Sequence, residues 1–220
     1  MSDTNSHTEL SISRLIGGPS VITLAVTLVR LVGELGHWSK TWFNPEPGGF
    51  LAVVGIVWLV PVFGVYFALK LSAVGQGPER VGHAIGHAVL AAILLVIGFY
   101  LFNRGIIQGL RGVVVMWTLA ALSAAIQFPT WRRLFRVLLA YAYAARLPVA
   151  IVMAVATWAD WHTHYSTAQP GESKLLTYFL FGFVAQLVWW VAFTVVVGSL
   201  FGTMATWVLR GRQPRIQVAA

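Results

Sequence analysis

The sequence predicts an all-α integral membrane protein, a bundle of about six transmembrane helices with its N- and C-termini cytoplasmic. The first observation behind this is composition: of 220 residues, 58% are hydrophobic and 10% charged, where soluble chains hold about 45–50% and 25%. So large an apolar excess leaves too little polar surface to face water, and it must face lipid instead. The second is length, because apolar stretches of the roughly 20 residues that a helix needs to cross about 30 Å recur along the chain. The third is punctuation, since short Pro- and Gly-rich turns separate those stretches.

Residues 1–14 read as a short polar N-terminal tail, without the basic start of a secretory signal. The transmembrane domain then covers 15–210, with spans expected at 19–38, 50–71, 82–102, 112–128, 136–157 and 175–209, and a basic tail follows at 211–220. The run Asn44-Pro45-Glu46-Pro47-Gly48-Gly49 breaks the chain before span two, Gly75-Gln76-Gly77-Pro78 before span three, and Gln169-Pro170-Gly171 before span six. Pro61 and Pro148 fall inside spans two and five, where a lost backbone bond permits a kink. The sixth stretch is longer than one perpendicular crossing, yet it holds no polar turn that would divide it in two.

Orientation follows from counting Lys and Arg on alternate sides. With the N-terminus inside, nine are cytoplasmic: Arg14, Lys70, Arg80, Arg132, Arg133, Arg136, Arg210, Arg212 and Arg215. Four, Lys40, Arg104, Arg111 and Lys174, fall outside. The expected location is therefore a cytoplasmic membrane, crossed several times, with both termini inside. The formal net charge of +8 belongs to helix ends meeting anionic headgroups. No soluble module remains to carry a nucleic-acid site, so the partner expected first is the lipid bilayer itself, then membrane proteins or further copies of this chain.

The absence of cysteine excludes disulfides, thiolate nucleophiles and iron–sulfur clusters. The chain also lacks a Gly-x-Ser-x-Gly elbow, a Walker loop and a His-Glu-x-x-His helix, so it reads as non-enzymatic. Its most informative feature is a polar stripe on the first helix, Ser20, Thr23, Thr27, Arg30, Glu34, His37 and Thr41, recurring at steps of three and four. That spacing places one polar face on an otherwise apolar helix, suited to burial against other helices. Arg30 and Glu34 can pair at i, i+4. Arg146 in span five has no acidic residue within a turn, so Arg30, Glu34 and Arg146 are expected to form one intramembrane charged cluster, with Thr23, Thr27 and His37 as polar lining. Such a cluster either fixes helix packing or marks the path of an anion or proton.

Asp160, His162 and His164 are residue types that bind zinc, although Asp-x-His-x-His has no demanding metal spacing. No cofactor is expected, with zinc or another divalent metal at this loop the alternative. Glu79, His83 and His87 form a polar ladder at the start of span three. Gly198 and Gly202 make a small-xxx-small face for close helix packing. The leading expectation is a non-enzymatic membrane interaction or assembly component, because loops are short and catalytic groups sparse. A small transporter or channel using the Arg/Glu cluster is the first alternative, and a metal-dependent membrane enzyme at the Asp160 loop the second.

Overall fold

The computed structural model describes residues 10–46, 52–167, 171 and 173–211, and among these every regular element is helical. The helices are α1 (Ile12–Leu35), α2 (Leu59–Ala73), α3 (Val81–Asn103), α4 (Gly109–Ala125), α5 (Arg132–Trp158), α6 (Lys174–Thr177) and α7 (Trp190–Gly211), with a π-helical segment (Tyr178–Trp189) joining the last two without a break. Four helical runs are long and apolar enough to cross a membrane: Ile12–Leu35, Val81–Asn103, Arg132–Trp158 and Lys174–Arg210. The described helices are therefore those of a helical membrane bundle. Much of the expected basic C-terminal tail, from residue 212 onward, lies outside the described residues.

The polarity is inverted relative to a water-soluble globule. Val21, Ile22, Val29, Val96 and Ile151 are exposed, whereas Thr23, Thr27, Ser123, Gln127, Thr194, Ser199, Thr203 and Thr206 are buried. Several buried hydroxyls return a bond to the carbonyl four residues back, as Thr27 does to Thr23 and Thr206 to Gly202, both at 2.9 Å. Local bonding of this kind satisfies a polar side chain where lipid offers no partner.

Three expected spans differ from the helices observed, and the first, expected over 19–38, runs over Ile12–Leu35 with Pro19 inside it. The second, expected over 50–71, begins as a helix only at Leu59, and residues 52–58 run irregularly with Val53 N–H and Val54 N–H bonded to the carbonyls of Thr41 and Trp42. Apolarity alone cannot distinguish this segment from helix. What permits irregular backbone here is its place against a cavity and the 39–43 turn, where polar groups find partners. Pro61 consequently sits in the first turn of α2, where its missing N–H breaks no helical bond, so no kink arises from it. Pro148 does lie deep inside α5. The fourth span shifts to Gly109–Ala125, seventeen residues and roughly 25 Å, short of a full crossing. The overlong sixth is one continuous run of 37 residues. Its π turns, bonded i→i+5, gather more residues per turn and so shorten it.

α1 and α5 end in the same turn geometry with non-glycine residues in the left-handed region. His37 at φ 50° follows α1 and Asp160 at φ 52° follows α5. In each case the next amide closes the turn, Trp38 N to Gly33 O and Trp161 N to Ala156 O, both at 2.9 Å. These reversals aim the following loops back over the bundle.

Hydrogen bonds gather the start of α1, the α2–α3 and α4–α5 turns and the end of α7 at one end of the bundle. Trp131 Nε1 donates to Gln76 O at 2.7 Å, Arg210 to Pro78 O at 3.2 Å, and Arg133 to Leu10 O. Behind that end the core is closely packed. A Cβ added at Gly202 would lie 2.8 Å from the Gly64 carbonyl oxygen and 2.9 Å from Ala68 Cβ, and one at Gly198 would lie 2.6 Å from Leu138 Cδ2. Gly198 and Gly202 thus serve packing within the chain, against α2 and α5.

Candidate functional site

The opposite end is built differently. On α1 the stripe Thr23, Thr27, Arg30 and Glu34 faces inward. Thr23 Oγ1 meets Tyr141 Oη of α5 at 2.8 Å, and Tyr165 Oη, from the loop after α5, donates to Thr27 O at 3.2 Å. Glu34 is 1% exposed and receives Arg30 Nε at 2.8 Å, His164 N at 3.0 Å and His164 Nδ1 at 2.6 Å. Arg30 also donates to Asn44 O at 3.3 Å. One carboxylate therefore ties α1 to the loop that follows α5, and through Arg30 to the loop that precedes α2.

His164 lies outside the membrane-spanning helices, and burial pushes its pKa below the usual imidazole value, although the hydrogen bond to Glu34 pulls the other way. A neutral ring that bonds a carboxylate through Nδ1 carries its proton there, leaving Nε2 as an acceptor.

The structure divides the trio Arg30, Glu34 and Arg146. Thr23 and Tyr141 meet side by side, and from that contact Arg30 is seven residues along α1 and Arg146 five along α5, so the two arginines lie at similar depth and differ in their partners. Glu34 is engaged by Arg30 and His164, and Arg146 makes no hydrogen bond or ion pair among the described residues; its Nε is buried and unpartnered. Its guanidinium carbon instead lies 4.6 Å from the centroid of the Trp190 ring, a cation–π contact. The side chain is 4% exposed.

Both arginines line one cavity of about 1190 Å³ between α1, α3, α5, α7, the π-helical segment and the 52–58 segment. His164, Tyr165, Ser166 and Thr167 bring polar groups to its wall, while Ile56, Leu95, Phe99, Met153, Trp189 and Phe193 make much of the rest apolar. Gly55 backs onto Arg30, whose Nη1 would stand 3.2 Å from a Cβ there. Gln186, on the π-helical segment, donates to Met153 Sδ at 3.3 Å and leaves its buried carbonyl oxygen without a partner.

Of the polar lining expected from the stripe, Thr27 reaches the cavity, Thr23 is held by Tyr141, and His37 is an exposed cap of α1. Asp160, His162 and His164 do not converge. Asp160 pairs with Lys174 Nζ at 2.6 Å, His162 is exposed, and His164 turns inward to Glu34. Among the described residues no group of three His, Asp or Glu side chains could hold a metal ion. In the Glu79, His83, His87 ladder, His87 Nδ1 is 2.9 Å from His83 O, and Glu79 and His83 border a small cleft of about 210 Å³.

Sequence reasoning missed Trp190, Tyr141, Tyr165 and Gln186. Gln186 carried a signal, a single polar residue in the run Tyr178 to Phe193. The aromatic residues carried none, because ten Trp and thirteen Phe make aromatics ordinary in this chain.

No protein-family model matches the chain, and no curated protein or solved structure is found to be similar to it.

Proposed function

We propose that the chain is a multi-pass protein of a cytoplasmic membrane that binds an anion inside the bilayer and carries it across, with six passes and both termini inside. The observation that carries this reading is Arg146, a buried guanidinium lining a large cavity without an acidic partner among the described residues. A cation in that setting is expensive unless an anion compensates it. Arginine also offers a planar fork of donors suited to carboxylate or phosphate. Arg30 contributes a second positive charge to the wall, partly neutralised by Glu34. The orientation rests on Arg80, Arg132, Arg133 and Arg210 standing near the end where α1 begins and α7 finishes.

Arg146 weighs more than the short loops that favour an assembly component, because the small face of Gly198 and Gly202 is filled by α2 and α5 of the same chain. The metal-enzyme alternative loses its support with the dispersal of Asp160, His162 and His164.

Proteoliposomes test the proposal, with chloride, phosphate and a fluorescent anionic lipid offered as separate cargoes. The parent protein is expected to pass an anion, and Arg146→Gln to abolish flux while remaining folded and inserted. A folded parent that passes none of the three, or a variant that transports like the parent, overturns it. An active alkaline phosphatase fused at Ala220 overturns the orientation.

A further inference from the structure

The cavity is too large and too apolar for a small inorganic anion. At about 1190 Å³ it exceeds the roughly 300–1,000 Å³ common for small-molecule pockets, and one guanidinium-bound anion would leave much of its apolar wall without a partner. We infer that its occupant is an anionic amphiphile, an oxyanion headgroup on a hydrocarbon chain, with the headgroup at Arg146 and the chain along α7. This rests on the anion-binding reading and names the class of anion.

The wall around Arg146 is arranged for both parts. Trp190 covers the guanidinium on one face, and its terminal Nη donors, which no described residue takes up, are left for an oxyanion at the cavity wall. From Trp190, Phe193 and Val197 continue at i+3 and i+7 on α7, and all three line the cavity. They extend an apolar strip about 10 Å along the helix beyond the charged group. Leu95 and Val96 of α3 line the same cavity.

The cavity also meets the lipid side of the bundle. Val57, Trp58, Val96, Phe99 and Phe181 line it and yet are exposed, at 45%, 53%, 64%, 50% and 45%. In a bilayer these side chains face hydrocarbon, so a chain can pass between membrane and cavity without meeting water. A hydrated phosphate or chloride ion has no favourable route through such a mouth.

Binding to the purified full chain in a neutral detergent separates the possibilities, with dioleoyl phosphatidic acid, dioleoyl phosphatidylcholine and inorganic phosphate as probes and native mass spectrometry as the readout. Phosphatidic acid is expected to bind at least tenfold more tightly than phosphatidylcholine, and 10 mM phosphate to leave it bound. Arg146→Gln should weaken phosphatidic acid at least tenfold. Val96→Trp, on an exposed face that tolerates bulk, should weaken it by obstructing the chain while leaving Arg146 in place. Near-ultraviolet circular dichroism checks that both variants are folded. Phosphate binding as tightly as phosphatidic acid, through Arg146 and unaffected by Val96→Trp, overturns the amphiphile and leaves the anion-binding reading standing. Phosphatidic acid bound equally by Val96→Trp and the parent overturns the placement of the chain. No binding of either anion by the parent, or binding by Arg146→Gln equal to the parent's, overturns both.

Discussion

The two ends of this bundle solve opposite problems with the same helices. Where α2 and α7 cross, Gly64, Gly198 and Gly202 bring backbones together, and Phe67, Leu71, Leu138 and Val195 are fully buried around them. At the other end α5 and α7 bound a cavity, and a polar clamp centred on Glu34 replaces close packing. Association in lipid has no hydrophobic driving force, so close van der Waals contact holds one end and buried hydrogen bonds the other. A bundle held firmly at one end can keep a cavity open at the other.

That contrast gives separable expectations for three kinds of change. The largest effect should come from the clamp. Glu34→Gln leaves Arg30 without its counter-charge and weakens the hold on the 159–167 loop, a loss of about 3 kcal/mol by comparison with other broken buried pairs. Arg146→Gln should change stability far less, since no pair is broken. The double variant should be additive within about 0.5 kcal/mol, measured by thermal or denaturant unfolding in detergent. Strong non-additivity would mean that Glu34 and Arg146 act as one unit after all.

Next is the packed end. Gly202→Leu should destabilise by about 1–3 kcal/mol, because the new side chain meets the Gly64 carbonyl and Ala68 and only backbone displacement can relieve it. Anion binding should persist in whatever fraction stays folded. A variant that keeps the parent's stability and loses anion binding would invert the assignment of roles to the two ends.

The smallest effect is a pH dependence of the clamp. His164 has a folded-state pKa below its unfolded value, so the unfolded chain binds this proton more readily. The stability linked to it is complete above the unfolded pKa of about 6.5 and declines as pH falls below that value. Glu34 and Arg30 face the ring, with Tyr165 beside it. His164→Asn keeps a donor near the Nδ1 position without a titrating ring, and it should flatten the melting temperature between pH 7 and 5.5. An unchanged slope would show that the clamp does not sense pH through His164.

Composition and spacing determine much of this protein. Apolar lengths locate six helical segments because lipid demands that backbone polar groups bond internally, and a helix does so within its own sequence. The stripe on α1 marks its buried face for the same local reason, and Arg30 pairs with Glu34 because i, i+4 is a property of one helix. Only the tertiary structure decides what lies between elements. Residues 52–58 are as apolar as a span, but they pack beside a cavity and the 39–43 turn instead of forming a helix. His164 joins Glu34 across 130 positions, since the left-handed turn at Asp160 folds its loop inward. Arg146 meets Trp190 of α7 and not Glu34, a partner chosen by how distant elements pack, and that separates two arginines that spacing alone placed together. Local periodicity encodes which face of a helix is buried. It does not encode which neighbour fills that face, because that depends on how helices distant in sequence meet.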